Sequence, residues 1–252
     1  MSLLTALIPS RKLVPLPDDF FCGSVDVHSH ILPGVDDGVP NEEEATKALM
    51  FLSNLGFKQA VLTPHVMAEY EGNRREALQK RFDEFAQTAS QLPISLSLAA
   101  EYMVDDAFLS HAAEGYLTMG RVKFVLTETS YYNVHPSHAQ MLYQFSLEGY
   151  NPIIAHPERY QYASDRQYAS WKRKGYCFQL NLLSLAGAYG EAAEEKALRF
   201  LDEEMYSFVG TDLHKVDAYR HWLPKIQLKV KQIDRLHELL EHNHELVAPS
   251  KR

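Results

Sequence analysis

Six short clusters carry side chains that bind metal ions or move protons. They are His28-Ser29-His30 with Asp36-Asp37-Gly38, Thr63-Pro64-His65, Glu101, Glu128, His156 within AHPERY, and Thr211-Asp212-Leu213-His214. Mixed imidazole and carboxylate donors suit Zn, Mn or Fe rather than Ca or a purely oxygen-bound Mg. In extended chain, positions i and i+2 point to one side. His28 with His30, and Asp212 with His214, can therefore face the same point. Asp36 and Asp37 follow the Pro33-Gly34 turn, so one of them can fold back toward that point; spacing alone leaves both open. With one of the two, the set has five neutral imidazoles and four carboxylates. That is too many donors for one ion, and fits two or three if a carboxylate bridges. Three divalent ions would leave the set at roughly +2, a socket for a phosphate dianion. Arg159, three residues after His156, is placed to clamp such an anion; the bland alternative is a surface arginine paired with Glu158.

These residues recur at the ends of short β-like runs. The pattern predicts strands over 24–28, 59–63, 94–101, 122–128, 152–156, 176–182 and 206–211. Every one but the sixth ends in a metal-capable residue. Helical patterns fall between them, over 74–92, 105–113, 137–148, 166–174 and 191–204, with a closing amphipathic helix inside 225–244. Asn41 followed by Glu42-Glu43-Glu44 reads as an N-cap, with the face Ala45, Ala48, Leu49, Leu52 and Leu55 and a stop at Gly56. Strand and helix alternate, which predicts an α/β fold with a mainly parallel sheet. Seven units suit a closed or nearly closed barrel, whose strand C-termini share one mouth and bring distant residues together. A doubly wound open sheet is the alternative, but no GxGxxG follows the first strand.

The conjunction at the strand ends carries the argument, because a lone HxH pair or a lone turn aspartate is weak. His111, His135, His138, His221, His237, His242 and His244 do not share this placement and read as solvated helix or loop residues; His135 and His138 lie close enough past Glu128 to border the mouth. Neither cysteine begins a Cys-x5-Arg loop, since His28 follows Cys22 and Leu183 follows Cys177 six positions on.

The composition is that of a globular protein, with 252 residues, 46% hydrophobic, 23% charged and a formal net charge of -8. The acidic balance argues against a broad nucleic-acid or anionic-membrane surface. Two cysteines cannot build a disulfide framework, which suits a reducing, cytoplasmic setting. No run approaches the ~20 apolar residues of a membrane span. Pro9, Pro15 and Pro17 break the apolar N-terminal segment, and Arg11 and Lys12 follow it rather than precede it, so a secretory signal is not expected. The organisation expected is one domain over 1–252, with an N-terminal arm over 1–23 and a C-terminal helix and frayed tail over 225–252.

The ordered set HSHILPGVDDG, TPH, AAEY, LTET, AHPERY and GTDLH resembles the PHP (polymerase and histidinol phosphatase) superfamily. Within it the chain is most similar to the bacterial metal-dependent tyrosine phosphatases of capsular and exopolysaccharide loci, from about Val25 to Arg220. The resemblance implies a distorted (β/α)7 TIM-like barrel and removal of phosphate from a membrane-associated tyrosine kinase that controls polysaccharide export. It implies three metals: one held by His28, His30, Glu101 and Asp212; one sharing Glu101 and adding Glu128 and His156; one held by Asp37, His65 and His214. It favours Asp37 over Asp36, and the carboxylates Asp37 and Glu128 favour the tyrosine-phosphatase branch. The family's segment after the DxH motif ends in an arginine followed by prolines. Here Arg220 is the nearest candidate for a second phosphate-binding arginine, at a different spacing and without the prolines. The competing expectations are a PHP phosphatase for a small phosphomonoester such as histidinol phosphate, a metal-dependent hydrolase of another bond, and a non-catalytic metal-bound scaffold for a kinase.

Overall fold

The computed structural model describes residues 12–247. The expected arm up to Arg11 and the tail beyond Val247 lie outside the described residues. Eleven strands run in chain order: β1 (Val14–Pro15), β2 (Val25–Asp26), β3 (Gln59–Leu62), β4 (His65–Val66), β5 (Ser95–Leu98), β6 (Glu101–Met103), β7 (Phe124–Glu128), β8 (Asn151–Ala155), β9 (Cys177–Asn181), β10 (Phe208–Gly210) and β11 (Gln227–Leu228). Among the described residues seven α-helices lie between and after them: α1 (Glu42–Leu55), α2 (Arg75–Ala89), α3 (His138–Leu147), α4 (Asp165–Arg173), α5 (Glu191–Asp202), α6 (Val216–Trp222) and α7 (Val230–His242).

Two parallel sheets form the centre. One has six strands in the order β10-β9-β8-β7-β6-β4, the other three in the order β2-β3-β5. The predicted strand over 94–101 is therefore broken in two, as β5 and β6, and the one over 59–63 is β3, with β4 following after a break. Proline has no N–H to give to a ladder, and Pro64 stands at the first break, between β3 and β4. Its carbonyl accepts from Glu101 N–H at 3.0 Å while Leu62 accepts from Ala99 N–H at 2.9 Å, so both chains bend together. The segment after β2 links the two sheets. Asp212 N–H donates to His28 O at 2.7 Å, His30 N–H to Leu213 O at 3.0 Å, and Thr63 N–H to Ser29 O at 2.8 Å. The expected α/β order and parallel pairing are present; the strands are arranged as these two sheets rather than one closed set.

Local chemistry sets the elements. Asn41 Oδ1 accepts from Glu44 N–H at 3.0 Å, closing the start of α1, an interaction worth about 1 kcal/mol. Ala45, Ala48, Leu49 and Leu52 are its buried face. Gly56 ends it at φ 113°, where an added Cβ would meet Cys22 Cα at 2.8 Å. The predicted helix over 105–113 is instead a 3-10 segment, Phe108–Ala113. Helix α6 and the antiparallel pair β1–β11 had no periodic signal, being seven and two residues long.

The main core packs the helices on the sheets through Leu49, Leu52, Phe85, Phe145, Trp171, Phe178 and Phe200. A smaller cluster, including Val61, Leu126, Ile153, Ala155 and Phe208, spans neighbouring strands. Leu126 stands two residues before Glu128 on β7, so it shares the face from which that carboxylate projects.

Candidate metal centre

All nine predicted ligands converge. His28 Nε2 and His30 Nε2 lie 3.2 Å apart, each 3.3 Å from Glu101 Oε2 and 3.4 Å from Asp212 Oδ1. His156 Nε2 is 3.0 Å from Glu101 Oε1 and 3.9 Å from Glu128 Oε1. His65 turns Nδ1 toward Glu101 Oε2 (3.1 Å) and Glu128 Oε2 (3.6 Å), and Nε2 toward Asp37 Oδ1 at 3.5 Å. His214 Nε2 reaches the same Asp37 oxygen at 3.4 Å.

The outer contacts aim these rings. His28 Nδ1–H donates to Gln179 Oε1 and His30 Nδ1–H to Asp36 Oδ2, both at 2.8 Å. A partner on one ring nitrogen leaves the other as the electron-pair donor. The two aspartates thus have different work: Asp36 holds His30 and accepts from His65 N–H at 3.0 Å, whereas Asp37 faces the cluster. Asp26, fully buried and raised to about 6 by that burial, accepts from Thr211 N–H and Oγ1–H and ties β2 to the Asp212 end of β10.

Backbone strain is concentrated here. His156 (φ 32°) and Asp212 (φ 52°) are two of four non-glycine residues at positive φ among the described residues. Such conformations cost on the order of 1–3 kcal/mol and persist where the surroundings fix them.

The donors fit divalent cations. They fall into four overlapping groups: His30, Asp37, His65, His214; His28, His30, Asp212; His28, Glu101, His156; and His65, Glu101, Glu128. Glu101 Oε2 is buried beside three imidazole nitrogens without an aligned hydrogen bond to any, as suits a bridging lone pair. The titration of the protein groups agrees. Burial alone would lower His28, yet Glu101 and Asp212 lift it to about 9. Burial and then the Glu101 charge push Glu128 up to about 8. Burial and the neighbouring Arg159 charge lower His156 to about 4, keeping it a neutral donor. Concentrated negative charge draws protons onto some members of the set, and a metal ion satisfies the same demand.

The centre opens on a cleft of about 480 Å³. Arg159 lines it with Nη1 2.9 Å from Asp212 Oδ2, not paired with Glu158. Glu158 is instead buried and accepts from Asn181 N–H, Ser184 Oγ–H and Tyr206 Oη–H. Arg220 is not in this cleft. It lies exposed on α6, paired with Asp217 at 3.3 Å, and borders an adjoining hollow that also includes His214, Lys215 and Ala218. His135 pairs with Asp106, and His138 is buried beside Trp171 rather than solvated; His111 is buried too. Sequence reasoning missed Gln179 and Asn181 on β9, the strand with no ligand, although their i, i+2 spacing is the same signal as His28 and His30. It also missed Tyr131 and Tyr189, which line the cleft.

The chain is similar to known proteins in sequence and in fold. The family described as "Capsular polysaccharide synthesis, CpsB/CapC" matches residues 24–244. The tyrosine-protein phosphatase YwqE of Bacillus subtilis is 26% identical over 76% of this chain and 78% of its own. The tyrosine-protein phosphatase CpsB of Streptococcus pneumoniae is 28% identical over 77% and 84%. Among solved structures, one of the metal-dependent tyrosine phosphatases YwqE and CpsB shares the fold, with a TM-score of 0.77, 24% identity and coverage of 88% of this chain and 93% of that one.

Proposed function

The chain belongs to the CpsB/CapC family of capsular polysaccharide synthesis, and from that premise we propose that it is a metal-dependent phosphotyrosine-protein phosphatase. The observation that carries this reading is the convergence of nine histidine and carboxylate donors beneath a cleft that also presents Arg159.

His28, His30, Asp37, His65, Glu101, Glu128, His156, Asp212 and His214 would hold two or three divalent ions, of the Mn, Fe or Zn kind. Such ions, when bound, polarise phosphoryl oxygens and lower the pKa of water from 15.7 to roughly 7. Gln179 and Asp36 keep the first two imidazoles aimed and in one tautomer. Arg159 supplies positive charge where the equatorial phosphoryl oxygens gain negative charge. A tyrosine leaving group, with a pKa of ~10, needs less protonation than an alkyl alcohol. No cysteine nucleophile enters: neither Cys22 nor Cys177 lines the cleft.

The finer reading is a single domain with a distorted (β/α)7 barrel, supported by the hydrogen bonds that join the segment after β2 to the segments after β10 and β3. The substrate is a tyrosine-phosphorylated protein, a membrane-associated bacterial kinase that governs polysaccharide export. The setting proposed is the cytoplasm; no described helix is long and apolar enough to cross a membrane.

The test is turnover of a phosphotyrosine peptide beside histidinol phosphate, with Mn and after exhaustive chelation. The expected result is a higher kcat/KM for the peptide, lost on chelation and restored by metal. Preference for histidinol phosphate, or full activity in chelator, would overturn the reading.

A further inference from the structure

Arg159 is held in an unusual way. Its Cζ lies 4.3 Å from the ring centroid of Tyr131 and 4.1 Å from that of Tyr189, over each ring. The guanidinium carbon is thus in contact with the faces of both rings. One edge, Nη1, donates to Asp212 Oδ2 at 2.9 Å. Asn181 closes the arrangement, giving Nδ2–H to Tyr189 Oη at 3.1 Å and to the same Asp212 oxygen at 2.6 Å. Tyr131 is braced from behind by His156 and Tyr160, with ring centroids at 5.9 and 6.4 Å.

We infer that Tyr131 and Tyr189 are positioning residues that clamp Arg159 edge-on to the cleft, so that it meets a phosphoryl group through its planar fork. The inference rests on the reading that the cleft takes a phosphomonoester. Rings over the faces of a guanidinium leave its N–H edge as the way in. With one edge turned to Asp212, the remaining donors can address two oxygens of one tetrahedral anion. An unclamped arginine would swing through many rotamers and lose that entropy on binding. Lysine, a point charge on a flexible stem, offers no fork for the rings to orient.

Freeing the Arg159 side chain from a ring returns rotamer freedom that binding must then remove, of a size that converts to about a tenfold change in affinity. The test uses the metal-loaded protein and two readouts: calorimetric binding of inorganic phosphate, and KM and kcat for a phosphotyrosine peptide. Tyr189→Leu and Tyr131→Leu are expected to weaken phosphate about tenfold each, with KM raised in parallel. Tyr189→Phe and Tyr131→Phe keep the ring and should restore binding to within about threefold. Arg159→Lys should resemble Arg159→Ala rather than the wild type. Metal content and thermal melting are measured alongside, and Tyr189, partly exposed at the mouth, carries the test if Tyr131→Leu fails to fold. Wild-type phosphate affinity in folded, metal-replete Tyr189→Leu would overturn the clamp. So would equal losses in the Phe and Leu variants, which would assign the effect to the hydroxyls. Absence of peptide turnover in wild-type protein that still binds phosphate would instead count against the proposed substrate, leaving the clamp standing on the calorimetry.

Discussion

Asp36 Oδ2 accepts from His30 Nδ1–H at 2.8 Å while Asp37, its neighbour in sequence, turns its own carboxylate to His65 and His214. Adjacent aspartates thus take two places at the candidate centre, one holding an imidazole in position and one offering its own carboxylate to the cluster. Removing an aiming group of this kind costs about 10–100-fold in metal affinity. Asp36→Ala should lose that much in a metal-binding titration with the fold retained. A variant that binds metal as the wild type does would show that Asp36 serves only the loop.

Arg159 and Arg220 should separate cleanly. Arg159→Ala is expected to lower kcat/KM for a phosphotyrosine peptide by about 100-fold, the scale of one lost transition-state contact. Arg220→Ala, outside the cleft, should stay within about twofold, the small effect usual for a surface position. A large loss at Arg220 in steady-state kinetics would mean that α6 moves to bring it in.

Gly210 lies against the ligand strand. A Cβ there would stand 2.5 Å from His28 Cβ and 3.0 Å from Gln179 Nε2. Gly210→Ala should destabilise by about 1–3 kcal/mol through overpacking and lower metal occupancy by shifting His28. Urea unfolding with metal analysis checks both; an unchanged midpoint and full occupancy would refute the close approach.

His138 gives the protein an acid-sensitive element away from the centre. It is buried beside Trp171, its Nε2 has no hydrogen-bond partner among the described residues, and burial lowers it from 6.5 to about 4. Below 6.5 the unfolded chain takes up a proton that the folded chain refuses. Stability therefore falls as pH drops from about 6.5 toward 4, by roughly 3 kcal/mol across that window. The difference between wild type and His138→Phe in denaturant midpoint, followed from pH 7 to pH 4, isolates it. Parallel curves would exclude it.

Chelation should also loosen the fold. Glu101, Glu128 and Asp212 are buried together, and such like charges repel unless cations or protons intervene. The melting temperature at pH 8 should fall on metal removal and recover with Mn. Cys22→Ser and Cys177→Ser should change neither activity nor metal dependence. Loss of turnover in either, with fold and metals intact, would point to a thiol mechanism instead.

The sequence by itself determined most of this centre. Ligand type and the i, i+2 spacing are local properties, and the alternation of strands and helices is written in periodicity, so the nine donors and the α/β order could be read from one chain. Helix α1 was legible to its caps, because Asn41 and Gly56 act on their own neighbours. Other features belong to the tertiary structure because they depend on residues far apart in the chain. Asp36 and Asp37 have the same chemistry and the same turn, and only the packing of that turn against His30 and His65 tells them apart. Arg220 has a plausible position in sequence, but the fold leaves it exposed on α6, outside the cleft. Pro64 bends β3 into β4 only because the chain entering β6 bends beside it. Tyr131 and Tyr189 carry no motif; they matter because the fold sets both rings against Arg159, 28 and 30 residues away in the chain.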